Sequence, residues 1–306
     1  MQAPMAKRQN LAGKTYIVSG ASEGSLGFAT ALTLLQWGAT VIVTKRSDAD
    51  ALKPLLTEWS HGSSERLFAY DLELASAQSV SSFIQIVNDQ HNVDVLINNA
   101  GIHLDLLSKW KEPTLSQDGF EIHWRTNYLG TCQLTVGLLP LLRKTAAFNG
   151  EARIVNVVSM LHDKGCNEEF FNPMKPYNSW QAYGQSKLGL MHLTTQLNKL
   201  YGAEGLHTYS LHPGAVLTNV AAKGLSGHPL VESLRKIFSF IEGFFLKTPE
   251  EGAQTQLHLA TAPVENLVSG QYYRQLKLAP VSDDARDDAV SVQLWDELAE
   301  HLATMR

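Results

Sequence analysis

The sequence predicts an α/β protein: one doubly wound parallel sheet of about seven strands with helices on both faces. Three observations carry this. Short β-branched or apolar runs alternate with longer stretches of helical periodicity from Lys14 onward. A glycine-rich turn follows the first of those runs and opens the first helical stretch. Strands separated by helices are joined by crossovers, which makes neighbouring strands parallel and covers both faces of the sheet.

Taken in order, Lys14-Thr15-Tyr16-Ile17-Val18-Ser19 reads as a short buried strand, residues 19–27 as the glycine turn, and residues 26–37 as a helix that Gly38 stops. Residues 40–44 form a second β-branched run, residues 48–60 a helix, and Leu67-Phe68-Ala69-Tyr70 a third strand ending at Asp71. Helical periodicity over residues 75–90 leads to a fourth strand at 93–97. A long apolar helix is expected over 118–142, then a fifth strand at 152–158 closed by Ser159. Residues 160–179, with Pro173 and Pro176, read as a loop before a helix that runs to about residue 201. Sixth and seventh strands follow at 208–211 and 271–274, and residues 284–304 form a helical tail. No repeat, low-complexity tract or linker divides the chain, so one domain over residues 1–306 is expected. Within it, Leu230, Leu234, Ile237, Phe238, Ile241, Phe244 and Phe245 recur at near-helical spacing, and residues 216–247 are read as an inserted loop or lid over an apolar substrate. A helix packed on the core or on a second subunit is the alternative reading, so a homodimer or homotetramer stays open; shallow membrane contact is the third reading, disfavoured because Glu232, Glu242, Arg235 and Lys236 do not make a strongly basic face.

Composition removes several function classes. A chain of 306 residues, 44% hydrophobic, can bury a full core. Its formal charge of -5 and pI near 6.1 provide no basic field for nucleic acid. Cys132 and Cys166 lack metal spacing and read as thiols in a reducing compartment. The first ten residues are short and polar and no run of 18 apolar residues occurs, so a cytoplasmic protein without membrane contact is expected. The eleven histidines show no H-E-x-x-H spacing, which assigns them to surface or capping roles and leaves no metal site. Ser159 beside His162, His207 and His212 could suggest a hydrolase, but no G-x-S-x-G elbow surrounds it.

The chemistry concentrates in Ser179-Trp180-Gln181-Ala182-Tyr183-Gly184-Gln185-Ser186-Lys187. Tyr183 and Lys187 are four residues apart and share one helix face. A phenol of pKa about 10 is a weak acid-base catalyst at neutral pH, and a fixed ammonium beside it favours the phenolate. Ser159 ends a strand, where open parallel sheets bind ligands, and its hydroxyl can donate to a carbonyl oxygen. Ser19-Gly20-Ala21-Ser22-Glu23-Gly24-Ser25-Leu26-Gly27, between a strand and a helix, suits a pyrophosphate held at a helix N-terminus in a Rossmann-type fold.

With Asn98-Asn99-Ala100-Gly101, Asn127 and His212-Pro213-Gly214 in the same order, these motifs resemble the short-chain dehydrogenase/reductase family. The family's T-G-x-x-x-G-[IL]-G turn matches once Ser25 is removed. The resemblance implies a nicotinamide dinucleotide held by Gly20, Ser22, Gly24, Ser25, Leu26 and Gly27, by Asp71 and Leu72 at the adenine, and by Asn99, Ala100 and Gly101. Tyr183, Lys187, Pro213, Gly214, Val216 and Thr218 complete that set on the nicotinamide side. Lys45 and Arg46 stand where an NAD-preferring member carries an acid, which implies NADP with NAD as the alternative. Ser159 would orient the substrate, Tyr183 exchange the proton, Lys187 hold the nicotinamide ribose and lower the tyrosine pKa, and Asn127 support a water in the proton path.

Further matches around residues 153–159, 182–188, 247–255 and 268–273, and the 24-residue interval from Ser159 to Tyr183, are similar to the retinol dehydrogenase-like branch, which includes the WW-domain oxidoreductase. The implied activity is hydride transfer between the nicotinamide and a lipophilic alcohol, ketone or aldehyde. A non-catalytic dinucleotide-binding regulator and a reductase of activated carbon-carbon double bonds are the alternatives.

Overall fold

The computed structural model describes residues 4–105, 109–172, 176–215 and 247–304. The expected lid, with Val216 and Thr218, lies outside these residues apart from Lys247.

The strands are β1 (Thr15–Val18), β2 (Thr40–Lys45), β3 (Leu67–Asp71), β4 (Val95–Asn98), β5 (Ala152–Val157), β6 (Leu206–His212), β7 (Tyr272–Arg274) and β8 (Lys277–Leu278). They form one sheet in the order β3-β2-β1-β4-β5-β6-β7-β8, parallel except for the antiparallel β7 and β8 pair. Among the described residues the sheet has eight strands, the expected set of about seven plus β8. β8 is two residues long and carries no periodicity, and the turn before it uses Gln275 and Leu276 at φ 52° and 64° instead of the Asn-Gly that usually marks a hairpin.

Alternation along each strand splits the core. Tyr16, Val18, Val41, Val43, Val95 and Ile97 enter one apolar layer, while Ile17, Ile42, Leu96 and Ile154 enter the other. The first layer is closed by α1 (Leu26–Gln36), α2 (Leu52–Trp59) and α6 (Pro249–Thr261), the second by α3 (Ala77–Gln90), α4 (Gly130–Asn149), α5 (Ser179–Tyr201) and α7 (Asp288–Thr304). The C-terminal tail packs on the second layer as α7: Leu298 enters that layer, and Ser291 Oγ lies 2.8 Å from His192 Nδ1 of α5.

The expected helix over 118–142 begins later and ends later. Gly119 sits at φ 85° in a turn, Leu115 and Glu121 form an isolated antiparallel bridge, and helical backbone starts only at Ile122. Trp124–Leu129 then forms a π-helical turn before α4. Such turns bulge the backbone and recur at functional sites. Here the bulge carries Asn127.

Because the chain winds outward from β1 through β3 and then restarts at β4, the strand order reverses between β1 and β4. The crevice beyond their carboxyl ends is where such sheets bind ligands.

Candidate active site

Ser159 stands two residues beyond the end of β5 and caps the turn that follows. It is buried, its Oγ accepts the Leu161 N–H at 3.1 Å, and its carbonyl oxygen lies 2.7 Å from His162 Nδ1. Tyr183 and Lys187 project from α5, which Asn178 caps by accepting the Trp180 and Gln181 amides at 3.0 and 3.1 Å. A Cβ on Gly184 would stand 2.6 Å from the Leu161 carbonyl oxygen, and one on Gly189 would stand 2.7 Å from the Tyr128 ring. These two glycines therefore let α5 close on the turn after Ser159 and on the bulge carrying Asn127. Asn127 in turn grips the loop after β4: its Oδ1 accepts the Ile102 N–H at 2.7 Å, and its Nδ2 donates to the Ile102 oxygen at 2.9 Å and to Ser186 Oγ at 3.0 Å. Four side chains scattered over 60 residues of sequence thus share one crevice.

Burial dominates the electrostatics. It pushes the Tyr183 phenol up to about 12, with the Ser159 hydroxyl working against it by hydrogen bonding the phenolate. It pulls Lys187 down to about 8. This balance differs from the expectation that Lys187 brings the phenol toward neutrality. The Lys187 ammonium donates to the Val157 oxygen at 3.0 Å and stands 5.8 Å from the Tyr183 ring centre.

At the other end of the crevice, Ser25 is absorbed as the N-cap of α1. Its Oγ accepts the Phe28 N–H at 3.2 Å, and Gly24 at φ 68° turns the chain ahead of it. Its hydroxyl is therefore committed to the helix, and the loop around Gly20, Ser22, Leu26 and Gly27 is left to meet a pyrophosphate with backbone. Asn99 fixes that loop by donating to the Ser19 and Gly20 oxygens at 2.8 and 3.1 Å, and the Ala100 N–H binds Ser19 Oγ at 3.0 Å. Leu72 is buried with its N–H on the Lys45 oxygen at 2.8 Å, while Asp71 accepts the Ala49 amide at 2.8 Å. Gly101 leaves bare backbone where a Cβ would stand 3.1 Å from Lys187 Nζ and 3.3 Å from Asn127 Oδ1. The loops after β1 and β4 flank the crevice at the strand-order reversal, where doubly wound sheets hold a dinucleotide. Pro213 and Gly214 follow β6, and Lys247 reaches the Pro213 oxygen at 3.3 Å.

Residues 14–227 match the family model for short chain dehydrogenase. The chain belongs to the short chain dehydrogenase family. It is 37% identical over 297 residues to Retinol dehydrogenase 14 of Mus musculus, spanning 93% of this chain and 84% of that one. It is 33% identical over 290 residues to Retinol dehydrogenase 11 of Homo sapiens, spanning 94% and 85%. Among solved structures, a Pseudomonas aeruginosa RhlG/NADP active-site complex superposes with a TM-score of 0.66 at 25% identity, over 89% of this chain and 96% of that one. This short chain dehydrogenase is therefore an NAD(P)-dependent oxidoreductase of the retinol dehydrogenase-like branch, acting on an alcohol or a ketone.

Several residues of this short chain dehydrogenase escaped the sequence reading. Arg125 is fully buried, its Nε on Asp118 at 2.6 Å and a guanidinium NH on the Leu74 oxygen at 2.7 Å, which anchors the bulge. His123, His162, His192 and His212 are buried, contrary to the surface roles expected of the histidines. The reason is local: His123 Nδ1 meets Glu121 at 2.7 Å and its Nε2 accepts the Leu104 amide at 3.1 Å, so a polar ring is satisfied inside the site. His103 lies beside them, two residues beyond Gly101. Its proximity to that glycine was the only signal available.

Proposed function

We propose that this chain is an NADP(H)-preferring alcohol dehydrogenase or carbonyl reductase for a small or medium lipophilic substrate, with Ser159, Tyr183 and Lys187 as its catalytic set, and that it works in the cytoplasm. One observation carries the reading: the half-buried Tyr183 phenol stands against the buried Ser159 hydroxyl just beyond β5, with the buried Lys187 ammonium one helical turn away. A bound nicotinamide would supply or accept the hydride. On the protein's side, Ser159 Oγ donates to the substrate oxygen, and Tyr183 Oη gives that oxygen its proton as carbon is reduced. The phenol is protonated at neutral pH and so has the proton that reduction requires, and the Ser159 hydroxyl offsets part of the burial that raises its pKa. Lys187 would turn from the Val157 oxygen to the nicotinamide ribose, and Asn127 holds the loop that brings Gly101 beside it.

The NADP preference rests on Lys45 and Arg46. Neither is paired with an acid among the described residues, since Asp50 takes Lys53 at 2.7 Å and an Asp71 oxygen takes the Ala49 amide. Two cations at the end of β2 are suited to a 2′-phosphate. A cavity of about 750 Å³ next to the turn after Ser159 has Met160, Leu161 and Trp180 as an apolar wall and Asp163, Lys164, Asn178 and Gln181 as a polar one, which suits a substrate with an apolar body and a polar end.

The test is calorimetric titration with NADP and NAD, followed by cofactor depletion over a panel of ketones, aldehydes, retinoids and steroids. Tighter binding of NAD would overturn the cofactor preference, and turnover of none of the panel would favour a regulator that only binds dinucleotide. Product analysis on an enone separates the remaining alternative, since a saturated ketone would mark a double-bond reductase.

A further inference from the structure

The loop after β4 is held at nearly every residue except one. Asn127 takes both backbone groups of Ile102, His123 takes the Leu104 amide, and the Asp105 carboxylate receives Ser179 Oγ at 2.9 Å and the Lys109 and Trp110 amides at 2.9 and 2.8 Å. The residue left over is His103, and this clamping fixes where its ring must go. It lies flat on the Tyr183 ring, centres 4.3 Å apart and planes within 10°, with Trp180 edge-on at 4.8 Å and His123 edge-on at 5.8 Å.

Stacking accounts for the ring's faces but not for its nitrogen. Nε2 of His103 is buried and has no hydrogen-bond partner among the described residues. Burial and the neighbouring His123 hold the imidazole down at about 4, so at neutral pH it is uncharged and can pair with a hydroxyl or a carbonyl. Leaving such an atom dry and unpaired is costly, and the exceptions in native structures call for a reason. Trp180, which touches His103 on one side, walls the cavity beside Ser159 on the other. The imidazole therefore packs both against the phenol and against one wall of that cavity.

We propose that His103 is a specificity residue whose Nε2 pairs with a second oxygen carried close to the reacting carbon, so that this chain favours hydroxylated carbonyl substrates over plain ones. The proposal rests on the assignment of Tyr183 and the adjoining cavity as the reacting site. An aldehyde with a pure hydrocarbon body would leave Nε2 unpaired, whereas an α-hydroxy ketone would bring its partner with it.

The experiment uses the full chain with NADPH bound and two ketones that differ by one hydroxyl, 2-hydroxyacetophenone and acetophenone. His103→Phe keeps a flat ring on Tyr183 and removes the nitrogen; His103→Asn returns a hydrogen-bonding side chain. For His103→Phe, kcat/KM should fall about tenfold more on the hydroxyketone than on acetophenone, mainly through KM, as the loss of one neutral hydrogen bond implies. His103→Asn should recover part of that discrimination. Equal losses on both ketones, or a matching loss of NADPH affinity, would overturn the proposal, because the nitrogen would then serve the phenol or the cofactor. A binding arm separates this from the broader reading: in Tyr183→Phe with NADPH bound, dissociation constants for the two ketones are measured by quenching of cofactor fluorescence, with and without His103→Phe. If His103 discriminates there while the unmodified protein reduces neither ketone, the reductase assignment falls and the His103 contact stands. If both ketones are reduced and no discrimination depends on His103, the contact falls and the assignment stands.

Discussion

Replacing Lys187 with Met should change how stability depends on pH. Lys187 is 3% exposed and burial lowers its pKa from 10.5 to about 8. Between those values the unfolded chain keeps the proton and the folded chain sheds it, so unfolding free energy rises with pH. The stability linked to this group is therefore fully present above pH 10.5 and is lost as pH falls through about 8. At 1.36 kcal/mol per pKa unit, the whole window corresponds to roughly 3 kcal/mol. Lys187→Met also removes the bond to the Val157 oxygen, so the test reads the change in the gap between the two proteins with pH, not its absolute size. The measurement is urea unfolding followed by tryptophan fluorescence for both proteins from pH 7 to pH 10. The gap between them should shift by roughly 2 to 3 kcal/mol in favour of the unmodified protein as pH rises. A gap constant to within about 0.5 kcal/mol across that range would refute the claim that Lys187 is a desolvated ammonium.

Three further outcomes are expected. Tyr183→Phe should lower kcat by about 100-fold or more while NADPH affinity stays within about threefold, because the ring still stacks on His103 and only the transferable proton is gone; near-normal turnover would remove Tyr183 from the chemistry. Replacing Lys45 and Arg46 together with Ala should raise the dissociation constant for NADPH about tenfold or more per lost contact and leave NADH almost unaffected, and added salt should weaken NADPH binding only in the parent. Gly184→Ala puts a methyl 2.6 Å from a backbone oxygen that cannot swing aside, so a loss of roughly 1 to 3 kcal/mol is expected in urea unfolding, together with lost turnover as Tyr183 is pushed from Ser159. An unchanged urea midpoint would show that α5 and the turn after Ser159 are not in that contact.

What the sequence disclosed depended on whether a feature was local. Tyr183 and Lys187 are one turn apart, the glycine turn is contiguous, and β1 through β6 are runs of apolar or β-branched residues buried by the helices that follow them, so all of these could be read from neighbours in the chain. The misses are features that only tertiary contacts create. Asn127 sits on a π-helical turn because Arg125, fully buried, is tied to Asp118 and to the Leu74 oxygen across the molecule, and no helical periodicity encodes that bulge. β8 needs two positive-φ residues that are not glycine, which sequence rules assign no turn.

The same distinction decides what the active site inherits and what it adds. Ser159, Tyr183 and Lys187 could be carried over from the family because their spacing and order are fixed by the strand and helix that hold them. His103 could not, since its ring reaches Tyr183 only through the grip of Asn127, His123 and Ser179 on residues either side of it. Those three come from a bulge, a buried histidine and a helix start that are far apart in sequence and have no motif in common. A reacting group is constrained by chemistry that every member must perform, whereas the side chain beside it is constrained only by the substrate of this chain. Substrate preference should accordingly be sought among clamped residues such as His103, where a polar atom is held in place by the fold and left without a partner by it.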